Sequence, residues 1–162
     1  MSDYPLDEER AKKAYETLVK YLAGSARSEQ ECKDKLYDKG FHKDEVDFAL
    51  FKAKSYRYVD DEEYVRTFLL FNKSRYGARK IIYKLTNEKG VDKNTVENIV
   101  YDEIDDDFEL KLAEKMAKKF VKTKKIDDKS DSQKVGAHLF QKGFDWRIIN
   151  KVMATLFDVY ED

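Results

Sequence analysis

The sequence predicts an all-α fold of about nine helices, arranged as three tandem three-helix repeats. Apolar residues recur at spacings of three and four along most of the chain, which is the period of one helical face, and no segment alternates as a strand would. One proline and six glycines in 162 residues leave few helix breakers. A Lys-Gly pair before an apolar residue occurs at Lys39-Gly40-Phe41, Lys89-Gly90-Val91 and Lys142-Gly143-Phe144. Recurrence at a nearly constant spacing indicates internal repeats.

The first repeat is expected over residues 1–57, including a short N-terminal tail. Its first helix ends at Gly24-Ser25. Ser28 and Glu31 then have the spacing of a capping box, which predicts the start of a second helix. Gly40 ends that helix, because glycine adopts positive φ at little cost. The apolar positions of the three helices are Ala11, Ala14, Tyr15, Leu18, Tyr21, Leu22, Cys32, Leu36, Val46, Ala49, Leu50 and Ala53.

The second repeat is expected over residues 58–104. Asp60 or Asp61 caps its first helix, where acidic side chains also complement the helix dipole. Gly77 separates this helix from a short second one that ends at Gly90, and Asp92 caps the third. The predicted buried positions are Tyr64, Val65, Phe68, Leu69, Phe71, Ile81, Ile82, Leu85, Val96, Ile99, Val100 and Ile104.

The third repeat is expected over residues 105–162. Three aspartates at 105–107 open a long helix, and a polar linker continues over 124–132. Ser130 or Asp131 caps the eighth helix, Gly143 ends it, and Asp145 caps the last. The apolar faces comprise Phe108, Leu112, Ala113, Met116, Phe120, Val135, Leu139, Trp146, Ile149, Val152, Met153 and Leu156.

The residues give little support to a catalytic, metal or cofactor site. Asp60 and Asp61 resemble a carboxylate pair, but helix capping explains them better. His42 and His138 stand far apart without neighbouring ligands at metal-binding spacing, and no phosphate-binding glycine loop occurs. Cys32 occupies an apolar helical position and suits a core residue. We therefore expect no catalytic residue, no metal and no cofactor.

Cysteine content and hydropathy predict the cellular compartment of the protein. One cysteine forms no internal disulfide, which suits a reducing compartment. No apolar run approaches the roughly 20 residues that cross a bilayer, and the N-terminus lacks the apolar stretch of a signal peptide. The expectation is a cytoplasmic protein without membrane contact, and a monomer.

Charge is unevenly distributed although the net charge is only −1. Residues 71–84 contain five basic side chains and no acidic one, among them Arg75, Arg79, Lys80 and Lys84. Lys111, Lys115, Lys118 and Lys122 form a second stripe at helical spacing. Residues 97–109 contain seven acidic side chains and no basic one. Basic stripes bind phosphates or acidic surfaces, but on a highly charged chain they are often only solvated faces, so both interpretations remain open.

The repeats resemble the RecX family, bacterial regulators of the RecA recombinase. The family's Gly-Tyr-Leu-Asp-Asp signature and the motifs C-terminal to it are matched by Tyr58-Val59-Asp60-Asp61, Tyr64, Arg75-Tyr76-Gly77, Ile81, Leu85 and Lys89-Gly90-Val91. The family's first-repeat pattern is matched by Ser28, Glu31, Lys35, Leu36, Lys39, Gly40 and Phe41. Arg57, Ala78 and Lys84 replace the usual Gly, Pro and Glu. The resemblance covers roughly residues 11–157.

The resemblance implies an elongated, curved array of three modules that lies in the groove of the RecA filament on single-stranded DNA. It implies a non-enzymatic regulator of homologous recombination that modulates, chiefly by inhibition, ATPase and strand-exchange activity. The predicted partner-binding residues, toward recombinase or weakly toward DNA, are Arg75, Tyr76, Arg79, Lys80, Lys84, Lys111, Lys115, Lys118 and Lys122. The alternatives are a sequence-independent DNA-binding module and a helical scaffold for another protein.

Overall fold

The computed structural model describes residues 5–126 and 131–157, which form nine α-helices and no strand. The prediction of an all-α fold of three tandem three-helix units is therefore confirmed. The helices are α1 (Glu8–Gly24), α2 (Glu29–Asp38), α3 (Lys43–Ser55), α4 (Asp61–Asn72), α5 (Ala78–Tyr83), α6 (Lys93–Glu103), α7 (Asp106–Lys124), α8 (Ser132–Gln141) and α9 (Trp146–Phe157). Among the described helices, none has the length and apolar character needed to span a membrane.

Each set of three successive helices encloses its own apolar core. Module 1 consists of α1–α3, module 2 of α4–α6 and module 3 of α7–α9, and substantial helix packing occurs within a module. The buried side chains of the three cores are mostly small or aliphatic. They include Ala14, Leu18, Cys32, Leu36, Val46 and Ala49 in module 1, Val65, Leu69, Ile81, Leu85, Val96 and Val100 in module 2, and Ala113, Ala117, Val135, Leu139, Ile149 and Val152 in module 3.

Most helix starts are capped as the sequence predicts. Asp60 caps α4, since its side chain accepts a hydrogen bond from the Glu63 amide, and Ser28 and Glu31 form the predicted capping box. Asp92 caps α6, and the Asp145 carboxylate accepts from the Ile148 amide at the start of α9. Asp131 is the residue before α8, whereas Ser130 lies outside the described residues.

The three Lys-Gly pairs end the second helix of each module. Gly40, Gly90 and Gly143 have φ of 89°, 69° and 102°, a left-handed conformation that favours glycine. Module 2 differs in one respect, because α5 continues as a π-helical turn over Lys84–Glu88 before reaching Gly90. The prediction of a glycine stop at each second helix is confirmed.

The second helices of the three modules follow one another end to end. At the junction of modules 1 and 2, the Lys89 carbonyl at the end of the π-helical turn accepts a hydrogen bond from the Ser28 hydroxyl at the start of α2 (2.6 Å). At the junction of modules 2 and 3, the Lys142 carbonyl at the end of α8 accepts a hydrogen bond from the Gly77 amide at the start of α5 (2.8 Å). Carbonyls left unpaired at helix ends thus find a donor across each junction, a side-chain hydroxyl at the first and a backbone amide at the second.

Two predicted core residues are exposed instead. Phe71 is 72 % exposed, because it lies about 200° around α4 from the buried Leu69. Trp146 is 56 % exposed in the first turn of α9, where it stacks on Phe140 with ring centroids 5.1 Å apart. Ile148, which the predicted pattern omitted, is fully buried in its place.

Candidate partner-binding surface

Three predicted cationic binding residues converge around the ring of a fourth, Tyr76. The side-chain charges of Arg75, Lys80 and Lys84 lie 5.5, 4.9 and 5.3 Å from the centre of the Tyr76 ring. We call Arg75, Tyr76, Lys80 and Lys84 the Tyr76 cluster. Tyr76 is half-buried and packs against the core of module 2, which holds the ring in place. The cluster thus consists of an aromatic ring fixed by packing and three cationic side chains that are attracted to the ring face.

The local sequence explains how the cluster assembles. Lys80 and Lys84 are four residues apart, so they share one face of the second helix of module 2. Arg75 and Tyr76 come from the connection that precedes it. Within the described residues, the one carboxylate paired with these cations is Glu88, 3.8 Å from the Lys84 Nζ. The cluster therefore retains net positive charge that suits a phosphate or a carboxylate of a partner.

Arg79 points away from the cluster and contacts module 3. One of its terminal nitrogens donates to the Phe140 carbonyl (2.6 Å), and its guanidinium lies 4.0 Å from the centre of the Phe140 ring. Its backbone amide also donates to the Gly143 carbonyl (3.1 Å). The Arg79 side chain thus has a structural role at the junction, and its role in partner binding stays a prediction.

The α7 lysines form a separate basic stripe on module 3. Lys111 pairs with Asp107 (2.9 Å), and this hydrogen-bonded pair raises the pKa of the Lys111 ammonium. Lys115, Lys118 and Lys122 are exposed and have no carboxylate partner in the described part of the chain. These three side chains remain available to an anionic partner.

The acidic segment 97–109 is largely engaged within the chain. Arg147 holds the Asp106 carboxylate through two hydrogen bonds, which lowers the pKa of Asp106. Glu97 pairs with Lys93 (3.7 Å) and Glu103 lies 3.9 Å from Arg66. This segment is therefore a weaker candidate for a partner surface than its composition indicates.

Two carboxylates at the junctions, one half-buried and one buried, were not predicted as cross-module contacts. The Asp61 carboxylate of α4 accepts a hydrogen bond from the Glu29 amide of module 1 (2.8 Å). The Glu109 carboxylate of α7 accepts one from the Ala78 amide of module 2 (2.6 Å). Burial raises the pKa of both carboxyls. Each lies four residues before a buried core position, Val65 or Ala113. Alignment of the three repeats on those core positions shows that Asp61 and Glu109 are equivalent, but it does not show that either carboxylate reaches the preceding module.

Cys32 and His138, the remaining titratable candidates, are packed against apolar or aromatic side chains. Cys32 is fully buried, and burial raises the pKa of its thiol to about 12, which suits an inert core residue. The His138 ring stacks on Phe120 (4.3 Å), and burial lowers its pKa. Among the residues that the structure describes, no group of three or more His, Cys, Asp or Glu side chains is arranged to hold a metal ion.

Family models match the two outer modules of this chain. The model described as RecX, first three-helix domain, matches residues 14–52, and the model described as RecX, third three-helix domain, matches residues 106–153. These ranges fall within module 1 and module 3.

Similar proteins cover nearly the whole chain. Regulatory protein RecX of Clostridioides difficile (strain 630) is 35 % identical over 96 % of this chain and 74 % of its own length. Regulatory protein RecX of Legionella pneumophila (strain Corby) is 31 % identical over 91 % of this chain and 97 % of its own. The crystal structure of RecX from Lactobacillus salivarius superimposes with a TM-score of 0.81, at 24 % identity over 93 % of this chain and 98 % of that one. By sequence and by the order of its modules, this chain belongs to the RecX family of regulatory proteins.

Proposed function

We propose that this protein regulates homologous recombination and DNA repair by binding the RecA filament on single-stranded DNA. On this proposal it inhibits the ATPase and strand exchange of the filament, acts by binding rather than by catalysis, and works as a monomer in the cytoplasm. Membership of the RecX family supports the partner. The observation that carries the proposal is the Tyr76 cluster, a rigid cationic surface in the central module.

The junctions explain how weak contacts add up. A filament repeats its binding sites at regular steps, so an array gains avidity when its modules stand at a matching spacing. Backbone hydrogen bonds at Gly77 and Arg79 and the buried Glu109 cap fix module 3 against module 2. Fixed spacing supports simultaneous contacts by the Tyr76 cluster and by Lys115, Lys118 and Lys122 of α7.

The test is charge reversal at the Tyr76 cluster. The variant R75E/K84E is compared with wild type for its effect on the DNA-stimulated ATPase of RecA. Lys80 is left unchanged because its Nζ also donates to the Gln141 carbonyl of module 3 (3.4 Å). The control K12E/K13E makes the same change of charge at exposed lysines of α1. We expect wild type and control to inhibit alike, and the cluster variant to require at least about tenfold more protein, since each lost charge-assisted contact contributes roughly 1.5–3 kcal/mol. Equal inhibition by all three proteins would exclude the cluster as the contact.

The second candidate is direct binding to DNA, which the three cations around Tyr76 favour, since Glu88 beside Lys84 is the one carboxylate paired with them in the described residues. This hypothesis predicts binding to a labelled oligonucleotide without recombinase, with an affinity that falls steeply as salt rises. Binding that the cluster variant abolishes, together with unchanged ATPase of RecA, would favour it. Absence of both activities would favour a scaffold for another protein.

A further inference from the structure

The end of α3 has the backbone pattern of the Lys-Gly helix ends but a different sequence. At the end of α2, the Gly40 amide donates to the carbonyl three residues back, and the Phe41 amide donates to the carbonyl five residues back. At the end of α3, the Arg57 and Tyr58 amides make the same two hydrogen bonds (3.0 and 2.8 Å). Arg57 thus takes the place of the glycine, and its φ of 59° is also left-handed.

The stability of the helix end does not explain these two residues. A side chain in left-handed conformation crowds the following carbonyl, which the glycines of the three Lys-Gly ends avoid. The residue after the glycine also differs, since Phe41 is partly buried and Phe144 is fully buried, whereas Tyr58 is 54 % exposed. A residue held in an unfavourable conformation and followed by an exposed ring indicates a functional role.

Tyr58 stacks on a second exposed tyrosine. The Tyr56 and Tyr58 ring centroids are 5.6 Å apart, and their planes are inclined by 27°. Tyr56 is 57 % exposed, so both rings keep open surface outside the contact between them. The half-buried Tyr15 lies beside the pair, because burial raises the pKa of its hydroxyl and the neighbouring Tyr58 and Tyr56 raise it further. The end of α3 therefore presents stacked aromatic rings to solvent.

Two cations border the tyrosine pair. The Lys52 Nζ lies 4.4 Å from the centre of the Tyr15 ring, one helical turn before the first tyrosine of the pair, and the exposed Arg57 separates the two tyrosines in sequence. In the part of the chain that the structure describes, neither cation pairs with a carboxylate. The two carboxylates that follow in sequence, Asp60 and Asp61, each accept a hydrogen bond from a backbone amide. The local charge therefore favours an anionic ligand.

We propose that Lys52, Tyr56, Arg57 and Tyr58, which we call the tyrosine patch, bind single-stranded DNA, with unpaired bases stacked on the tyrosine pair and neighbouring phosphates against the two cations. Aromatic side chains stack on bases of any sequence, and Lys and Arg neutralise the backbone. A duplex keeps its bases stacked inside the helix, so only a single strand offers them. The patch belongs to module 1 and the Tyr76 cluster to module 2, so this site goes beyond the proposed filament contact.

The position of the site is tested by photocrosslinking without recombinase. An oligothymidylate carrying one iodouracil is irradiated with the full chain, which links that base to an aromatic ring stacked on it, and mass spectrometry identifies the residue. We expect the crosslink at Tyr56 or Tyr58, and its loss when the strand is annealed to oligodeoxyadenylate. A crosslink confined to other residues, or undiminished in the duplex, would overturn the proposal. Because RecA is absent, the result is independent of the proposed inhibition of the filament.

Two variants separate the rings from their hydroxyls. Y56A/Y58A removes both rings, whereas Y56F/Y58F keeps them. By fluorescence anisotropy, the affinity for labelled oligothymidylate should fall at least about fivefold in Y56A/Y58A, which is the effect of losing one stacked base, and should stay near wild type in Y56F/Y58F. Circular dichroism checks that both variants keep their helix content. Unchanged affinity of folded Y56A/Y58A would overturn the proposal in favour of a protein partner for the patch.

Arg57 has a matched control in Lys125. These are the two non-glycine residues at positive φ among the described residues, with φ of 59° and 55°, and both are exposed cations. R57G and K125G should each raise the thermal midpoint by about 2–4 °C, because glycine relieves the crowding. Only R57G should also weaken binding of oligothymidylate, by roughly tenfold, since it removes a charge-assisted phosphate contact. Affinity of R57G equal to that of K125G would contradict a role for Arg57 in binding and overturn the proposal.

Discussion

Glu109 shows how one buried side chain joins two modules. The residue is 7 % exposed, and its carboxylate accepts a hydrogen bond from the Ala78 amide at the start of α5. Burial raises its pKa above the ordinary value of 4.5, so the folded protein binds this proton more tightly than the unfolded chain does. Glu109 therefore favours folding most below pH 4.5, and that contribution is lost as the pH rises through the higher pKa of the folded state.

We predict that Glu109→Gln and Glu109→Ala have different effects on stability. Glutamine keeps an oxygen for the Ala78 amide and carries no charge, so the free energy of unfolding at neutral pH should equal or exceed that of wild type. The stability that wild type gains on acidification through this group should also vanish. Alanine leaves the amide without its acceptor and should cost about 1 kcal/mol. Urea denaturation at neutral and mildly acidic pH measures both effects. Equal losses for the two variants would contradict the capping role.

At the scale of elements, the second helix of module 2 contains one more residue than its counterparts. Four positions separate Leu36 from Gly40 and Leu139 from Gly143, whereas five separate Leu85 from Gly90. The Lys89 amide accordingly bonds the Lys84 carbonyl, five residues back. The π-helical turn absorbs the additional residue, which keeps both Leu85 in the core and Gly90 at the junction.

Deletion of Asn87 should therefore be tolerated. It restores the spacing seen in the other two modules and replaces the π-helical turn by regular helix, so the thermal midpoint should stay within a few degrees of wild type or rise. Deletion of Asp38, an equally exposed residue of α2, shortens a spacing that is already regular. It should lower the midpoint clearly, because either Leu36 leaves the core or Gly40 shifts. Circular dichroism melting measures both. A similar loss for the two deletions would show that the π-helical turn is itself required.

At the scale of the whole molecule, the modules keep separate apolar cores and meet chiefly through helix ends, although Phe108 of α7 packs against the core of module 2. The spacing of binding surfaces therefore depends on a few junction contacts. Gly143 is central among them, because a Cβ there would lie 2.3 Å from the Lys80 Cβ and 2.7 Å from the Lys80 backbone nitrogen.

We predict that Gly143→Ala weakens filament binding while Gly40→Ala does not. Both substitutions place alanine at positive φ, at a similar cost of about 1–2 kcal/mol. Only Gly143→Ala forces module 3 away from module 2, which disrupts the spacing that gives avidity, so affinity for RecA filaments should fall about tenfold or more. Fluorescence anisotropy of labelled protein measures the affinity. Hydrogen exchange at the Arg79 amide, which bonds Gly143, reports junction opening independently. Equal affinities despite an opened junction would contradict the avidity argument.

The sequence by itself determined the all-α class, the helix ends and the likeness to the RecX family. These features depend on neighbours three to five residues apart, as in the Ser28–Glu31 box and the Lys-Gly ends. It also grouped Arg75, Tyr76, Arg79, Lys80 and Lys84, since one helix and the connection before it carry them all. Only the tertiary structure decided that Arg79 reaches Phe140, 61 residues away, and that Glu109 caps α5 from 31 residues away. Such contacts join residues that no local period relates, so they appear only when the modules have docked.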